Sequence, residues 1–415
     1  MEYQLEGSSY YRVVVSKRDM TDAVPQLEAT VQTSSEDLFK RALSQSFDAK
    51  IEFDRVVQAK KGAKLAWRNL APHISMNSAP IIASTTGFGL LSAAGDLVPF
   101  LMPSRWFQAK QAKQQAEAEK DAFILLRSDV GNSVVNLCLS YQADIESLQQ
   151  IQQTKDLTAD LVGEILTQER LGRFFPGTSN DLLAVHNSLE QMILAMKRGL
   201  ISDRNAIAIA AGFYNPYAID KVDLSLNSDI KNPATINYDE LVQDVYDHSF
   251  ELKQIDHIVQ SYRHALKARM FNWLDPEGDY TGALGIGTPV YIGIGKYQVK
   301  EWEDRREQLK ALLLQKVATT YNDRQLAINL FQKSTEGLEI QNNRISRLKT
   351  QMNSSQNFDP VGFLLAIRDL ATSQLQVISA KYTFYQTQEQ LDRARMAGHY
   401  QGIPYDTGRE IRDVH

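Results

Sequence analysis

The sequence predicts a mainly helical, duplicated chain whose helices are too long for a compact globule. Two observations carry this expectation. A segment near the start recurs 203 residues later (Leu38 to Leu241), and two long stretches keep an apolar stripe over many helical turns. Self-similarity at this scale marks a chain built from copies of one unit.

Residues 34–67 and 237–270 align without gaps. Leu38 meets Leu241, Ser46-Phe47 meets Ser249-Phe250, Lys50 meets Lys253, Val56 meets Val259 and Lys64 meets Lys267. Further on, Leu182 to Val185 meets Leu364 to Ile367 at an offset of 182, so the first copy carries about 21 more residues between its matched blocks. The layout is an N-terminal extension (1–33), a first repeat (34–212), a linker (213–235), a second repeat (236–398) and a tail (399–415).

Each repeat opens with a helix of about 35 residues, capped by Ser34/Ser35 or by Asn237 with acids in the first turn. A Gly-, Pro-, Ser- and Thr-rich β-hairpin segment follows, 71–105 in the first copy and 271–296 in the second. From Tyr280 to Gly295 small and bulky residues alternate, which suits a strand with one lipid-facing side or a glycine-rich edge strand of a soluble domain. Next comes a very long helix, about 106–171 and 298–352. A polar break leads to a last helix, 181–211 or 361–397. In the first long helix Leu126, Val130, Val134, Leu137, Tyr141, Ile145 and Leu148 recur every ~3.67 residues, nearer a straight pattern than a left-handed supercoil. Leu313, Val317, Tyr321, Arg324, Ile328 and Phe331 repeat this in the second. A helix of ~65 residues is ~98 Å long and needs lateral partners within and between subunits.

Charge is nearly balanced at −5 and mean hydropathy is −0.33, which argues against a nucleic-acid binder or a polybasic membrane-surface protein. No apolar run approaches the roughly 20 residues of a membrane helix, so a bilayer would be crossed by β-strands. The single cysteine, Cys138, lies among Val134, Val135, Leu137 and Leu139 and reads as a buried structural thiol. The first 30 residues lack a secretory pattern, which fits a mature form with an added Met1 or a cytoplasmic protein.

Chemistry-bearing patterns are weak. His257 and His264 share a helix face, but two turns between them prevent chelation of one ion. Asp239-Glu240, the acids Glu301, Glu303 and Asp304, and the run Lys110 to Lys120 read as solvated faces. Gly285, Gly287, Gly293 and Gly295 lack a following Gly-Lys-Ser/Thr, and no nucleophile elbow is present. The expectation is a non-enzyme with no catalytic residue, cofactor or metal. Trp67, Trp106, Trp273 and Trp302 fall at helix–strand junctions and suit either a membrane-interface girdle or ordinary corner packing.

Four motifs in this order resemble the TolC family of outer-membrane channels: the opening Ser34 to Ile51, the approach to the first strand at Lys64 to Ser75, Thr288-Pro289-Val290-Tyr291 with Gly293 and Gly295, and Gly177 to Ala184. The resemblance implies a TolC-like coiled-coil tube of three subunits, with short β-hairpins forming a β-barrel end in the outer membrane. It implies a passive conduit for efflux or type I secretion, working with a periplasmic adaptor and an inner-membrane transporter, in contact with outer-membrane lipid and not with nucleic acid. The hairpin tips would then carry partner contact or gating through Arg173, Gly177, Thr178, Ser179, Asp181, Asp359, Gly362 and Leu365. Three features depart from the family pattern. The second hairpin segment is short and interrupted by Asp275 to Asp279, Gly362 and Leu365 stand where paired acids often ring the pore, and no cysteine near residue 1 offers a lipid anchor. Gly362 and Leu365 in place of the acids favour an apolar or wider aperture. The short second hairpin and the missing acids also support an alternative, a TolC-like periplasmic ring or scaffold with a reduced barrel; a soluble coiled-coil adaptor is the generic third reading.

Overall fold

The computed structural model describes residues 31–71, 99–215, 217–224, 229–272, 288–354 and 359–412. Its elements are β1 (Val31–Ser34), α1 (Ser35–Gln45), α2 (Phe47–Arg68), α3 (Pro103–Arg170), α4 (Thr178–Ala210), β2 (Ile219–Asp223), α5 (Tyr238–His248), α6 (Phe250–Phe271), α7 (Thr288–Ser354), α8 (Pro360–Ala394) and α9 (Ile403–Arg412). Strands β1 and β2 pair in parallel, from Val31 opposite Ile219 to Ser34 opposite Asp223.

The opening helix of each repeat is two helices rather than one. Ser46 takes an extended conformation (φ −60°, ψ 145°), and its hydroxyl accepts from the Ala49 amide at 3.2 Å, so it ends α1 and caps α2. Ser249 does the same for α5 and α6, with its hydroxyl accepting from the Leu252 amide. A serine that bonds the next turn's amide offers the backbone an alternative to continuing the helix. The expected starts hold: Ser34 accepts from the Asp37 amide, and Asn237 from the Asp239 amide, each at 3.1 Å.

The second hairpin segment requires correction. Residues 288–296, read from alternation as strand, are the first turns of α7. Gly295 there serves close approach, since a Cβ on it would lie 2.9 Å from Leu266 Cδ1 of α6. At the end of the first hairpin segment Pro99–Leu101 is a 3-10 turn and Pro103 opens α3. Stretches 72–98 and 273–287, with Trp273, lie outside the described residues. The only strands among the described residues are β1 and β2, so no barrel end is shown.

Helices α3 and α7 have 68 and 67 residues, each about 100 Å long. Helix α3 packs against α1, α2, α4, α6, α8 and α9, whereas α7 packs against α5, α6 and α8. Towards the strand segments the order is α2–α3–α6–α7, and towards the tips α4–α3–α8–α7. The result is an open series of helices with α7 on one edge and α2 and α4 on the other. The core lies along α3, where Ile124, Val135 and Leu139 meet Phe39 of α1 and Ile378, Tyr382 and Phe384 of α8. Cys138 is fully buried beside Leu38 and Ala42, and burial pushes its thiol up to about 12. One stretch in α3 and one in Val361–Arg412 are apolar enough by composition to cross a membrane, which corrects the expectation that none is; half of the α3 stretch is buried among its neighbours, as in a core helix.

The segment read as a tail closes back on the first repeat. Arg127 of α3, 3% exposed, donates to Thr407 Oγ1 (3.0 Å) and Glu410 Oε2 (3.1 Å) of α9. Lys60 donates to the Ile411 carbonyl at 2.8 Å, while the Ile411 side chain packs with Ala49, Val56 and Phe123.

Candidate functional site: hairpin tips and free edges

At the first tip, α3 turns into α4 through Gly172 (φ +69°) and Gly177 (φ +100°), left-handed positions that favour glycine. Glu169 holds the turn. Its carboxylate accepts from the Ser179 amide (2.8 Å) and hydroxyl (2.7 Å), and bonds to the Gly177 and Thr178 amides add to these. These bonds, led by that from the Ser179 amide, hold the carboxyl below its ordinary range and neutralise the positive end of α4. The Thr178 hydroxyl donates to the Phe175 carbonyl at 2.9 Å, and Arg173 donates to Gln168 Oε1 at 3.1 Å. Arg173, Gly177, Thr178, Ser179 and Asp181 are therefore brought together, but with different parts. Ser179 is buried and structural, whereas Arg173 and Asp181 are exposed. Three exposed apolar side chains surround them: Leu171, Leu183 and Phe175, the last 88% exposed. The sequence reading missed Glu169 and Phe175. The Phe174-Phe175 pair before Pro176-Gly177 was the available signal, since an aromatic pair beside a turn either packs or waits for a partner.

At the second tip Asp359 precedes Pro360, the first residue of α8. A Cβ on Gly362 would sit 2.4 Å from Asp359 Oδ2, so the carboxylate rests against the space the glycine leaves. Phe363, Ala366 and Ile367 are buried, while Val361 and Leu365 stay exposed. The exposed tip residues Val361 and Leu365 make that face apolar; residues 355–358 lie outside the described set.

At the opposite end Trp67 and Trp106 meet edge to face at 5.6 Å, and Trp106 Nε1 donates to the Phe100 carbonyl at 2.6 Å. Both are more than a third exposed, beside exposed Leu65, Phe100 and Leu101. Trp302 is elsewhere. Because α7 starts at Thr288, this ring lies about 20 Å along the helix, stacked on Tyr262 and covered by Arg305, so the junction expected for it is corrected to a helix–helix contact.

The free edge of α7 carries the most extensive exposed feature. Val134 and Val317 occupy matching places, since Val134 packs on Leu38 and Ala42 and Val317 on Leu241 and Val245. This fixes an offset of 183 between α3 and α7. Along α7 the exposed side chains Val290, Tyr297, Leu312, Leu326, Leu330 and Ile340 form one row on one face, about 75 Å long. Their counterparts on α3 are Phe107, Gln114, Asp129, Ala143, Ser147 and Leu157. That is the face α3 turns to the second repeat: Phe107 stacks on Phe271 at 5.7 Å, Gln114 meets His257 at 2.7 Å and Asp129 meets Arg393 at 2.7 Å. Among the described residues no cluster of His, Cys, Asp or Glu could hold a metal ion.

No protein-family profile and no curated protein sequence matches the chain. Solved structures do. A membrane protein from Pseudomonas aeruginosa aligns with a TM-score of 0.71 and 13% identity, over 92% of each chain. The outer membrane protein VceC from Vibrio cholerae aligns at 0.71 and 12% identity, over 88% of this chain and 96% of its own. The open state of the MtrE outer membrane channel of Neisseria gonorrhoeae gives 0.68 and 11%, over 91% and 94%. The chain shares the fold of TolC-family outer-membrane channels. VceC is an outer membrane protein and MtrE an outer membrane channel, and the long hairpins built on α3 and α7 belong to the fold shared with them.

Proposed function

We propose that this chain is one subunit of a TolC-like conduit in the bacterial outer membrane and periplasm, passing substrates in efflux or type I secretion without chemistry on them. The observation that carries this is the open series of helices with two unlike edges. The row on α7 matches, residue for residue, the α3 face that receives α6 and α8 inside the chain. By the same duplication, α7 receives α2 and α4 of another copy, which are the counterparts of α6 and α8. Such a head-to-tail contact closes into a ring, and helices of about 100 Å make that ring a tube. The tips, with exposed Phe175, Leu171 and Leu365, then face a periplasmic adaptor and an inner-membrane transporter, and Trp67 and Trp106 lie beside outer-membrane lipid.

A second reading, a periplasmic ring with a reduced barrel, has its own support. Only residues 272–287 separate α6 from α7, fewer than two membrane-crossing strands of ~9–11 residues require. Cryo-electron microscopy of the detergent-extracted protein tests both. The expected image is a threefold tube about 100 Å or longer with a detergent belt at one end. A belt-free ring overturns the conduit in favour of the scaffold, and a monomer overturns both.

A further inference from the structure

The seam between α3 and α6 joins the two repeats, and it contains a buried carboxylate oxygen with no hydrogen-bond partner. Asp121 of α3 is 7% exposed, and its Oδ2 is unsatisfied. Facing it is His257 of α6, whose Nε2 lies 3.6 Å away, too far for a good hydrogen bond. The other ring nitrogen, Nδ1, is 2.7 Å from Gln114 Oε1, and with the amide oxygen on that side the ring proton sits on Nδ1. In the neutral ring Nε2 is then bare. A lone pair on nitrogen and an ionised oxygen confront each other, the oxygen buried and the His257 side chain 35% exposed, a costly arrangement on the carboxylate side. One added proton, on either atom, turns the confrontation into an N–H···O or O–H···N bond.

We propose that Asp121 and His257 hold one proton between them, so that the joint between the repeats is a latch that tightens in mild acid and loosens as the proton leaves. The charged groups around Asp121 are Glu117 and Lys120 on α3 and His257 and Lys253 on α6. Burial is the largest influence and raises the Asp121 carboxyl to about 6; His257, Lys120 and Lys253 oppose it, and Glu117 adds to it. The sign follows. A carboxyl raised above its unfolded value takes up a proton on folding, so its stabilisation is present below about pH 4 and is lost as pH rises through about 6. The latch belongs to this seam alone. At the duplicated positions on the chain's outer edges stand Asp304 and Asp54, where a second acid replaces the histidine.

The test is hydrogen exchange on the assembled protein at pH 5.5 and 7.5, corrected for intrinsic exchange, with peptides from α3 (107–128) and α6 (250–268) followed against α8 as the internal control. The expected result is a loss of protection of about fourfold in the α3 and α6 peptides on going to pH 7.5, with α8 unchanged. Asp121→Asn keeps the shape and removes the titration, so its protection becomes insensitive to pH; His257→Gln reduces the same dependence, and each variant is compared with itself across pH. Wild-type peptides that show no such loss overturn the proposal, as does an Asp121→Asn variant that keeps the wild-type dependence. Neither outcome bears on whether the protein is a conduit.

Discussion

The two flanks of the second repeat's helices differ in what their duplicated positions are asked to do. On the inner flank, α3 meets α6 and α8 through apolar packing interleaved with polar, specific contacts: Gln114 with His257, Asp129 with Arg393, and Glu146 with Lys381 (2.8 Å) and Tyr382 (2.7 Å). On the outer flank, the equivalent row of α7 is Tyr297, Leu312, Leu326, Leu330 and Ile340. The lesson is about covalent connection. Repeats tied into one chain reach each other at high effective concentration, so their seam can carry charges whose desolvation brings orientation more than affinity. A face whose partner arrives from solution relies instead on apolar area, which is non-directional and favourable throughout.

Breaking the outer flank should give the largest effect. Leu326→Asp with Leu330→Asp places two charges in the centre of the proposed subunit contact. The expected outcome is dissociation to monomer, read by light scattering after size exclusion, with far-ultraviolet circular dichroism retained. An unchanged oligomer would show that this row is not the seam.

Next in size is the inner flank. Arg393, 8% exposed, holds Glu251 at 2.6 Å and Asp129 at 2.7 Å, joining α8, α6 and α3. Burial raises the Glu251 carboxyl, but the Arg393 charge and the hydrogen bonds from Arg393, Ser249 and the Glu251 amide together bring it below its ordinary range. Arg393→Ala strips two carboxylates of their cation and should destabilise the fold by about 3–5 kcal/mol, measured by chemical unfolding. Because the Glu251 value is depressed, its stabilisation is present above the unfolded value and is lost as pH falls through the native one. The variant's deficit should therefore shrink in acid.

A smaller contrast separates two glycines. On enclosed α3 a Cβ at Gly131 would meet the Phe39 ring at 2.4 Å, so Gly131→Ala should cost about 1–3 kcal/mol. In the single chain nothing lies within 4 Å of a Cβ at Gly337, which stands in the exposed row of α7, so in the dissociated Leu326→Asp, Leu330→Asp chain Gly337→Ala should stabilise by about 0.5–1 kcal/mol. Thermal unfolding of both variants in that background sharpens the enclosed-versus-open distinction. If Gly337→Ala there costs as much as Gly131→Ala, the edge of α7 is covered within the chain itself and is not a free face. The smallest structural effect belongs to the tips: Asp181→Ala and Asp359→Ala should change docking or transport in cells that supply the partner pump, and leave assembly intact. Normal transport by both variants would remove them from the tip's function.

What the sequence disclosed, it disclosed through periodicity. The stripes of α3 and α7 and the Ser46/Ser249 correspondence were legible because core burial repeats at the helical period and duplication preserves polar punctuation. The same serines were misread as lying inside a continuous helix, since a cap bond depends on local backbone geometry that composition does not record. Residues 288–296 were misread because Gly293 and Gly295, only the second of them against α6, imitate strand alternation. The partners Arg393 with Glu251 and Arg127 with Glu410 lie 142 and 283 positions apart, and nothing in one sequence marks such pairs. At the tip, the Gly177 motif was visible; the carboxylate that holds it, on the preceding helix, was indistinguishable from any solvated glutamate.

The return of α9 onto α2 and α3 has a consequence for biosynthesis. Helix α9, which follows every other described helix in the sequence, supplies the counter-charge for Arg127 and covers Ala49, Val56 and Phe123 of the first repeat. A product that stops before Ile403 leaves a buried cation without its acid and an uncovered apolar groove, the kind of surface that chaperones and proteases triage. The first repeat thus acquires its full set of partners only once α9 has docked on it.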